Sequence, residues 1–261
     1  MVYKQNDVYR KRTAKIKSLN KGMRSFRSFL KEESDPVEAY LREFGNAVAQ
    51  THQRVDFNNH TLFKPLNFDS NLPNKLLMSC LQGDEPAGWA ALLEYVKNNK
   101  PETANVSYIP IMSKEVFRSG NHEDDMGINP NQRIPYKPSR EAVRLLAAQN
   151  IWLPLASGGF LDLHEDPYRD FGYMYVWSDT GDLGQRLIDI IGEKFPLLHG
   201  FDEFKAIEGR IEEDEQGMLG DYLASLGVSP CMTTETPAHG GYALSERVGV
   251  QVELIKEFIN D

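Results

Sequence analysis

The most constraining feature of this chain is a junction. The apolar run Lys75-Leu-Leu-Met-Ser-Cys-Leu81 stops at Gly83-Asp84, and Pro86 then opens a segment in which Trp89, Leu92, Leu93 and Val96 recur at helical spacing. A short apolar run bounded by turn residues reads as a buried strand. Proline suits the first helical position, where its φ is already helical and its missing N–H costs nothing. The junction is therefore strand, tight turn, helix, and similar units follow. Strands are predicted at 106–112, 159–164, 172–177 and 228–235. Helices are predicted at 36–50, 86–98, 139–149, 182–195 and 243–259. Residues 51–74, rich in Asn and Pro, read as irregular. Residues 119–136 read as a polar loop, and the acidic stretch 201–220 as an exposed insertion. Such alternation implies one α/β domain with a mostly parallel, mixed central sheet flanked by helices.

In open sheets of this kind, ligands bind at the carboxyl ends of the strands. Three predicted strand ends carry polar residues: Gln82 with Glu85, His164 with Glu165 and Asp166, and Glu235. Catalytic zinc needs about three protein ligands, drawn from nitrogen, sulfur and carboxylate donors, and an open position. Gln82 and Glu85 are three residues apart, so one tight turn can aim both at one point. Taken singly, each has a plainer reading. A Glu at a helix start is favoured by the helix dipole, and a lone His is usually a hydrogen-bonded core residue.

Charge narrows the partners. The net charge is −9, which opposes non-specific binding to nucleic acid. Residues 1–31 nevertheless hold ten Lys or Arg against one acid, Asp7. Charge runs usually mark exposed faces, so residues 1–35 read as a solvated basic arm or helix lying on an acidic body at 36–261. No apolar stretch follows the basic residues as in a secretory signal, and none reaches the ~20 residues that span a bilayer. Cys80 and Cys231 cannot make a disulfide framework and read as reduced core thiols. These features together point to the cytoplasm.

The motifs, taken as an ensemble, resemble the zinc carboxypeptidase family over about residues 75–259. Leu81-Gln-Gly-Asp-Glu-Pro-Ala-Gly88 is similar to its first metal motif, His-Gly-x-Glu-Pro-x-Gly. Leu161-Asp-Leu-His-Glu-Asp166 resembles the strand carrying its last metal ligand. Glu235-Thr-Pro, with Leu244 and Arg247 beyond it, resembles its catalytic glutamate segment. Gly127-Ile-Asn-Pro-Asn-Gln-Arg133 is similar to its Gly-x-Asp-Leu-Asn-Arg segment. The short deacylase and murein-peptidase branches are the nearer match. Two departures stand out. Gln82 occupies the place of a zinc-binding His, and an amide oxygen is a weaker zinc partner than imidazole. One residue also separates Asn131 from Arg133. His60, His122 and His239 are the other histidines that could stand in, but none sits at the matching strand end.

The resemblance implies a fold, a cofactor and roles. Zn²⁺ would be held by Gln82, Glu85 and His164, with Glu235 as general base. Arg118, in Phe117-Arg-Ser-Gly-Asn121, would face the oxyanion, and Asn131 and Arg133 would bind a substrate carboxylate. For both arginines the alternative is a surface ion pair with Glu123–Asp125. Among Tyr168, Tyr173 and Tyr175, one could hydrogen-bond substrate, Tyr173 being the candidate, although Tyr173-Met-Tyr-Val-Trp177 alternates like a half-buried strand. Asp162 or Asp166 could orient the metal ligands. The implied activity is hydrolysis of a peptide or acyl-amide bond next to a free carboxylate, with small peptides, including cell-wall peptides, as substrates. Two alternatives stay open: an N-acyl amino acid deacylase of the succinylglutamate desuccinylase or aspartoacylase type, and a catalytically impaired binding protein on the same fold.

Overall fold

The computed structural model describes residues 35–136, 138–200, 206–211, 217–238 and 240–261. Nearly all of the basic arm therefore lies outside the described residues, as do His239 and parts of the 201–220 stretch. Helix α1 (Pro36–Val48) starts where Asp35 accepts a hydrogen bond from the Val37 N–H at 3.0 Å, a capped start with Pro at its first position. It buries Tyr40, Leu41 and Phe44. Strands β1 (His52–Phe57) and β2 (His60–Pro65) then form a hairpin. Residues 51–74 were expected to be irregular, and the hairpin corrects that. Asn58 and Asn59 both take positive φ, 44° and 76°, as a two-residue hairpin turn requires and as Asn tolerates. The strands were hard to read because β1 exposes much of its length and lacks an apolar run.

The core elements follow, the predicted ones joined by two short helices that were not predicted, Lys114–Ser119 and Gln149–Trp152. They are β3 (Asn74–Ser79), α2 (Pro86–Asn98), β4 (Asn105–Ile109), α3 (Lys114–Ser119), α4 (Arg140–Leu146), α5 (Gln149–Trp152), β5 (Phe160–Asp166), β6 (Tyr173–Val176) and α6 (Leu183–Gly192). Within the acidic stretch, β7 (Ala206–Ile207), β8 (Arg210–Ile211) and α7 (Leu219–Ser225) are ordered parts of the body, with Ile211 and Leu219 buried. This corrects the expectation of an exposed insertion. Strand β9 (Cys231–Pro237) and helix α8 (Leu244–Asn260) complete the order.

The nine strands lie in one sheet, β1-β2-β4-β3-β5-β9-β6-β8-β7. The middle run from β4 through β3 and β5 to β9 is parallel. The flanks are largely antiparallel, through β1–β2, β2–β4, β9–β6 and β7–β8. The α/β fold with a mixed sheet is thus as expected, with the parallel strands confined to the centre. Helices cover both faces. One core joins α1, α2, α6 and α8 through Leu41, Leu92, Leu187, Leu254 and Phe258. The other joins α4, α5 and α7 through Leu145, Trp152 and Leu223. Each such large apolar side chain contributes roughly 1.5–3 kcal/mol on burial, so strands β3, β5 and β9 are held from both sides.

Candidate metal centre

Side-chain parity fixes the site. Successive residues of a strand face opposite sides. On β5, Leu161 and Leu163 join the core beneath α2 and α8, so Asp162, His164 and Asp166 share the other face. In the parallel register His164 is paired with Glu235 of β9, and in the antiparallel register Tyr173 of β6 is paired with Glu235. His164, Glu235 and Tyr173 therefore lie side by side at one end of the sheet. All are buried.

Glu85 reaches this row from the β3–α2 turn. Cys80 takes φ 59°, a left-handed backbone that costs a non-glycine residue about 1–2 kcal/mol. It turns the chain away from β3. A Cβ on Gly83 would lie 1.8 Å from the Val116 carbonyl oxygen, and one on Gly88 would lie 2.5 Å from the Leu163 carbonyl oxygen. Only glycine permits both approaches, which press the turn and the first coil of α2 against their neighbours. Glu85 Oε2 then lies 2.8 Å from His164 Nδ1 and accepts the Glu165 backbone N–H at 3.2 Å. His164 Nε2 lies 3.0 Å from Asp162 Oδ2. Neither Asp162 oxygen has a hydrogen-bond partner, and the contact is an ion pair when His164 is protonated. A carboxylate behind a histidine is the usual support of a metal-ligating imidazole.

On the reverse face of β5, Glu165 accepts the Ala87 N–H at 2.6 Å and pairs with Arg247 of α8. Burial pushes the Glu165 carboxyl up to about 7 against the pull of Arg247. The pair ties β5, α2 and α8 together behind the site. Arg247 is thus engaged with Glu165, leaving Glu235 without a guanidinium partner there. No hydrogen bond to the Glu235 carboxylate occurs among the described residues. Burial holds its pKa well above the ordinary range, and Glu85, Asp166 and Asp162 add to this against His164.

Gln82 is also buried, and its Oε1 has no hydrogen-bond partner. Its Nε2 donates to Asn129 Oδ1 at 3.0 Å. Asn129 Nδ2 meets His122 Nε2 at 3.1 Å, and His122 Nδ1 meets Asp84 Oδ1 at 3.1 Å and lies 3.7 Å from Glu85 Oε1. Of the histidines weighed as stand-ins, His122 alone among the described residues approaches the site. His60 is buried elsewhere, on the Met112 carbonyl. Asp84, Glu85 and His122 bring one ligating atom each within 4.8 Å of one another. The donors fit a divalent cation. Three buried carboxylates, Glu85, Asp162 and Glu235, surround the buried His164 on this face, and the buried Gln82 contributes an orphaned amide oxygen. A bound cation would be the largest local charge and would offset that excess.

The other expected residues are placed differently. Arg118 forms a two-pronged pair with Asp35, at 3.1 and 2.7 Å, and is 45% exposed. Asp35, which caps α1, takes the place of the expected Glu123–Asp125 run. Asn131 Oδ1 accepts the Leu219 N–H at 3.0 Å, holding the start of α7. Arg133 is exposed on a left-handed backbone, φ 63°. Tyr173 donates to Asp166 Oδ2 at 2.7 Å, and its ring lies 5.6 Å from the Arg169 guanidinium carbon. The sequence reading missed Arg169. Its signal was position, five residues beyond His164 among the tyrosines.

No family profile matches the chain, and no curated protein matches its sequence. Solved structures do. A Shewanella denitrificans protein, assigned as a metallopeptidase by inference, superposes with a TM-score of 0.78 at 23% identity, over 85% of this chain and 89% of that one. The metallo-carboxypeptidase of Pseudomonas aeruginosa, solved with (2-guanidinoethylmercapto)succinic acid, gives 0.66 at 14% identity, over 85% and 68%. Murein-tripeptide amidase MpaA of Escherichia coli O157 gives 0.56 at 14% identity, over 77% and 86%. At these identities the likeness establishes the fold, which is that of the metallocarboxypeptidases.

Proposed function

We propose that the protein is a zinc-dependent hydrolase that cleaves a peptide or acyl-amide bond next to a free carboxylate. The observation that carries this reading is the pairing of Glu235 with His164 on one face, with Glu85 on the same histidine. Zinc held by Gln82, Glu85 and His164 would polarise a scissile carbonyl and lower the pKa of a bound water.

The chain's own residues supply the rest. Glu235 takes the proton of the attacking water and returns it to the leaving amine. Burial, which raises its pKa, suits a group that must both accept and release a proton. A nearby cation would draw that pKa back down. Asp162 and Glu165 hold His164 and Glu85 from behind. Tyr173, fixed by Asp166, offers its phenol beside Glu235, and Arg169 brings a positive charge to the same corner for a substrate carboxylate. Arg118 and Arg133 would need to move to serve as the oxyanion cation and the carboxylate clamp.

The P. aeruginosa neighbour's name makes it a carboxypeptidase and the E. coli neighbour's a murein-tripeptide amidase, and both support short peptides as the first substrates to try. The test is turnover of short peptides, murein tripeptides and N-acyl amino acids, with and without chelator. Chelator-sensitive release of an amine is expected. A second reading, a binding protein on this fold, is favoured by the engagement of Arg118 with Asp35. Stoichiometric zinc with no turnover of any substrate class would favour it.

A further inference from the structure

The three side chains that lead away from Gln82, Asn129, His122 and Asp84, have a defined polarity. The Asn131 backbone N–H lies 2.8 Å from one side-chain atom of Asn129. A peptide N–H can only donate, so that atom is Oδ1 and the other is Nδ2. This removes the usual ambiguity of a side-chain amide. Asn129 Nδ2 therefore donates to His122 Nε2 at 3.1 Å, and in the neutral ring that nitrogen carries no proton. The ring proton sits on Nδ1, facing the acceptor-only carboxylate of Asp84 at 3.1 Å. At the other end, Gln82 presents Nε2 to Asn129 Oδ1 at 3.0 Å, which leaves Oε1 as its second atom. Gln82 is 3% exposed, and Oε1 has no hydrogen-bond partner.

We infer that Asp84, His122 and Asn129 form a positioning relay that fixes the Gln82 amide with its oxygen free to act as a metal donor. The inference rests on the zinc reading above. An amide turned the other way would present two N–H donors to a cation and repel it. A freely rotating Gln82 would lose affinity in proportion to the time so spent. With neutral donors at Gln82, the relay offsets part of what an imidazole would have supplied. Outer partners of metal ligands are typically worth ten- to a hundredfold in affinity.

The test combines a tautomer measurement with a coupling measurement. Nitrogen-15 spectra of the metal-free protein, taken on the alkaline side of the ring's titration, should show His122 as the Nδ1–H tautomer. In Asn129→Asp, which still accepts from Gln82 and from the Asn131 N–H but cannot donate to the ring, His122 should gain a proton on Nε2 while zinc affinity changes at most severalfold. Asn129→Leu should weaken zinc binding about ten- to a hundredfold. It should add no further loss in a Gln82→Ala background. An Nε2–H tautomer in the unaltered protein would overturn the relay alone. Equal losses from Asn129→Leu in both backgrounds would also overturn it. Should Asn129→Leu fail to fold, the tautomer and the Asn129→Asp affinity still decide. Zinc binding that is absent, or indifferent to Glu85→Gln, would overturn the functional reading and the relay with it.

Discussion

His164 and Glu235 are neighbours in the parallel ladder of β5 and β9, so a buried imidazole and a buried carboxylate face the same space from adjacent strands. His164 is bound on its Nδ1 side by Glu85, at 2.8 Å. Glu235 accepts no hydrogen bond among the described residues. One is held as a ligand would be, and the other is left available as a proton carrier would be. Glu235→Gln should therefore keep zinc binding and lose about 10²–10⁴-fold in turnover. Because burial, and after it the like charges of Glu85, Asp166 and Asp162, disfavours the ionised form of Glu235, the amide should not lower the melting temperature. A variant that melts early yet keeps its specific activity would make Glu235 a structural residue.

Gln82→His tests the first ligand. Imidazole is a better zinc donor than an amide oxygen, and its second nitrogen could donate to Asn129 Oδ1 as Gln82 Nε2 does now. The dissociation constant for zinc should fall by roughly tenfold or more, the scale on which such partners act. Competition with a chromophoric chelator measures it. An unchanged constant would remove Gln82 from the ligand set.

Arg247 tests the scaffold behind the site. It is 6% exposed and pairs with the fully buried Glu165. Arg247→Met would strand that carboxyl. Breaking one side of a buried pair typically costs about 3–5 kcal/mol. Because Glu165 also holds the Ala87 N–H, zinc affinity should fall together with the melting temperature. A loss below about 1 kcal/mol in denaturant unfolding would mean that the pair carries little stability.

The β3–α2 junction, the His164 strand and the Glu235 strand were legible because each is an apolar run ending in a polar residue, and the helical spacing after Pro86 was unambiguous. The β1–β2 hairpin was not. Its turn signal is Asn58-Asn59 and its exposed strand has no apolar run, so local composition read as loop. The partners of Arg118 and Asn131 were illegible for a different reason. Arg118 is committed by Asp35, 83 positions earlier in the chain, and Asn131 by Leu219, 88 positions later. Partners set by tertiary packing leave no local trace. His122 was named only as one of three candidate stand-ins, and its contact with Asp84 was illegible in the same way, since the two meet only in space.

His60 gives a pH dependence away from the site. Burial lowers its pKa from 6.5 to about 4, against the hydrogen bond to the Met112 carbonyl. The folded state therefore releases this proton while the unfolded state still binds it. Stability from this residue is fully present above pH 6.5. It is lost as pH falls toward about 4, by up to ~3 kcal/mol. The difference between the unaltered protein and His60→Gln in unfolding free energy should shrink across that window. A difference that stays constant with pH would refute a buried neutral His60.

Anomalous diffraction at the zinc edge from zinc-soaked crystals tests most directly which side chains hold the metal. One ordered peak is predicted within about 2.0–2.3 Å of Gln82 Oε1, a Glu85 oxygen and His164 Nδ1, with Glu235 facing it and unbound. The opposing candidate is the group formed by Asp84, Glu85 and His122. A peak held by Asp84 and His122 with His164 left outside, or no ordered peak at all, would contradict the account.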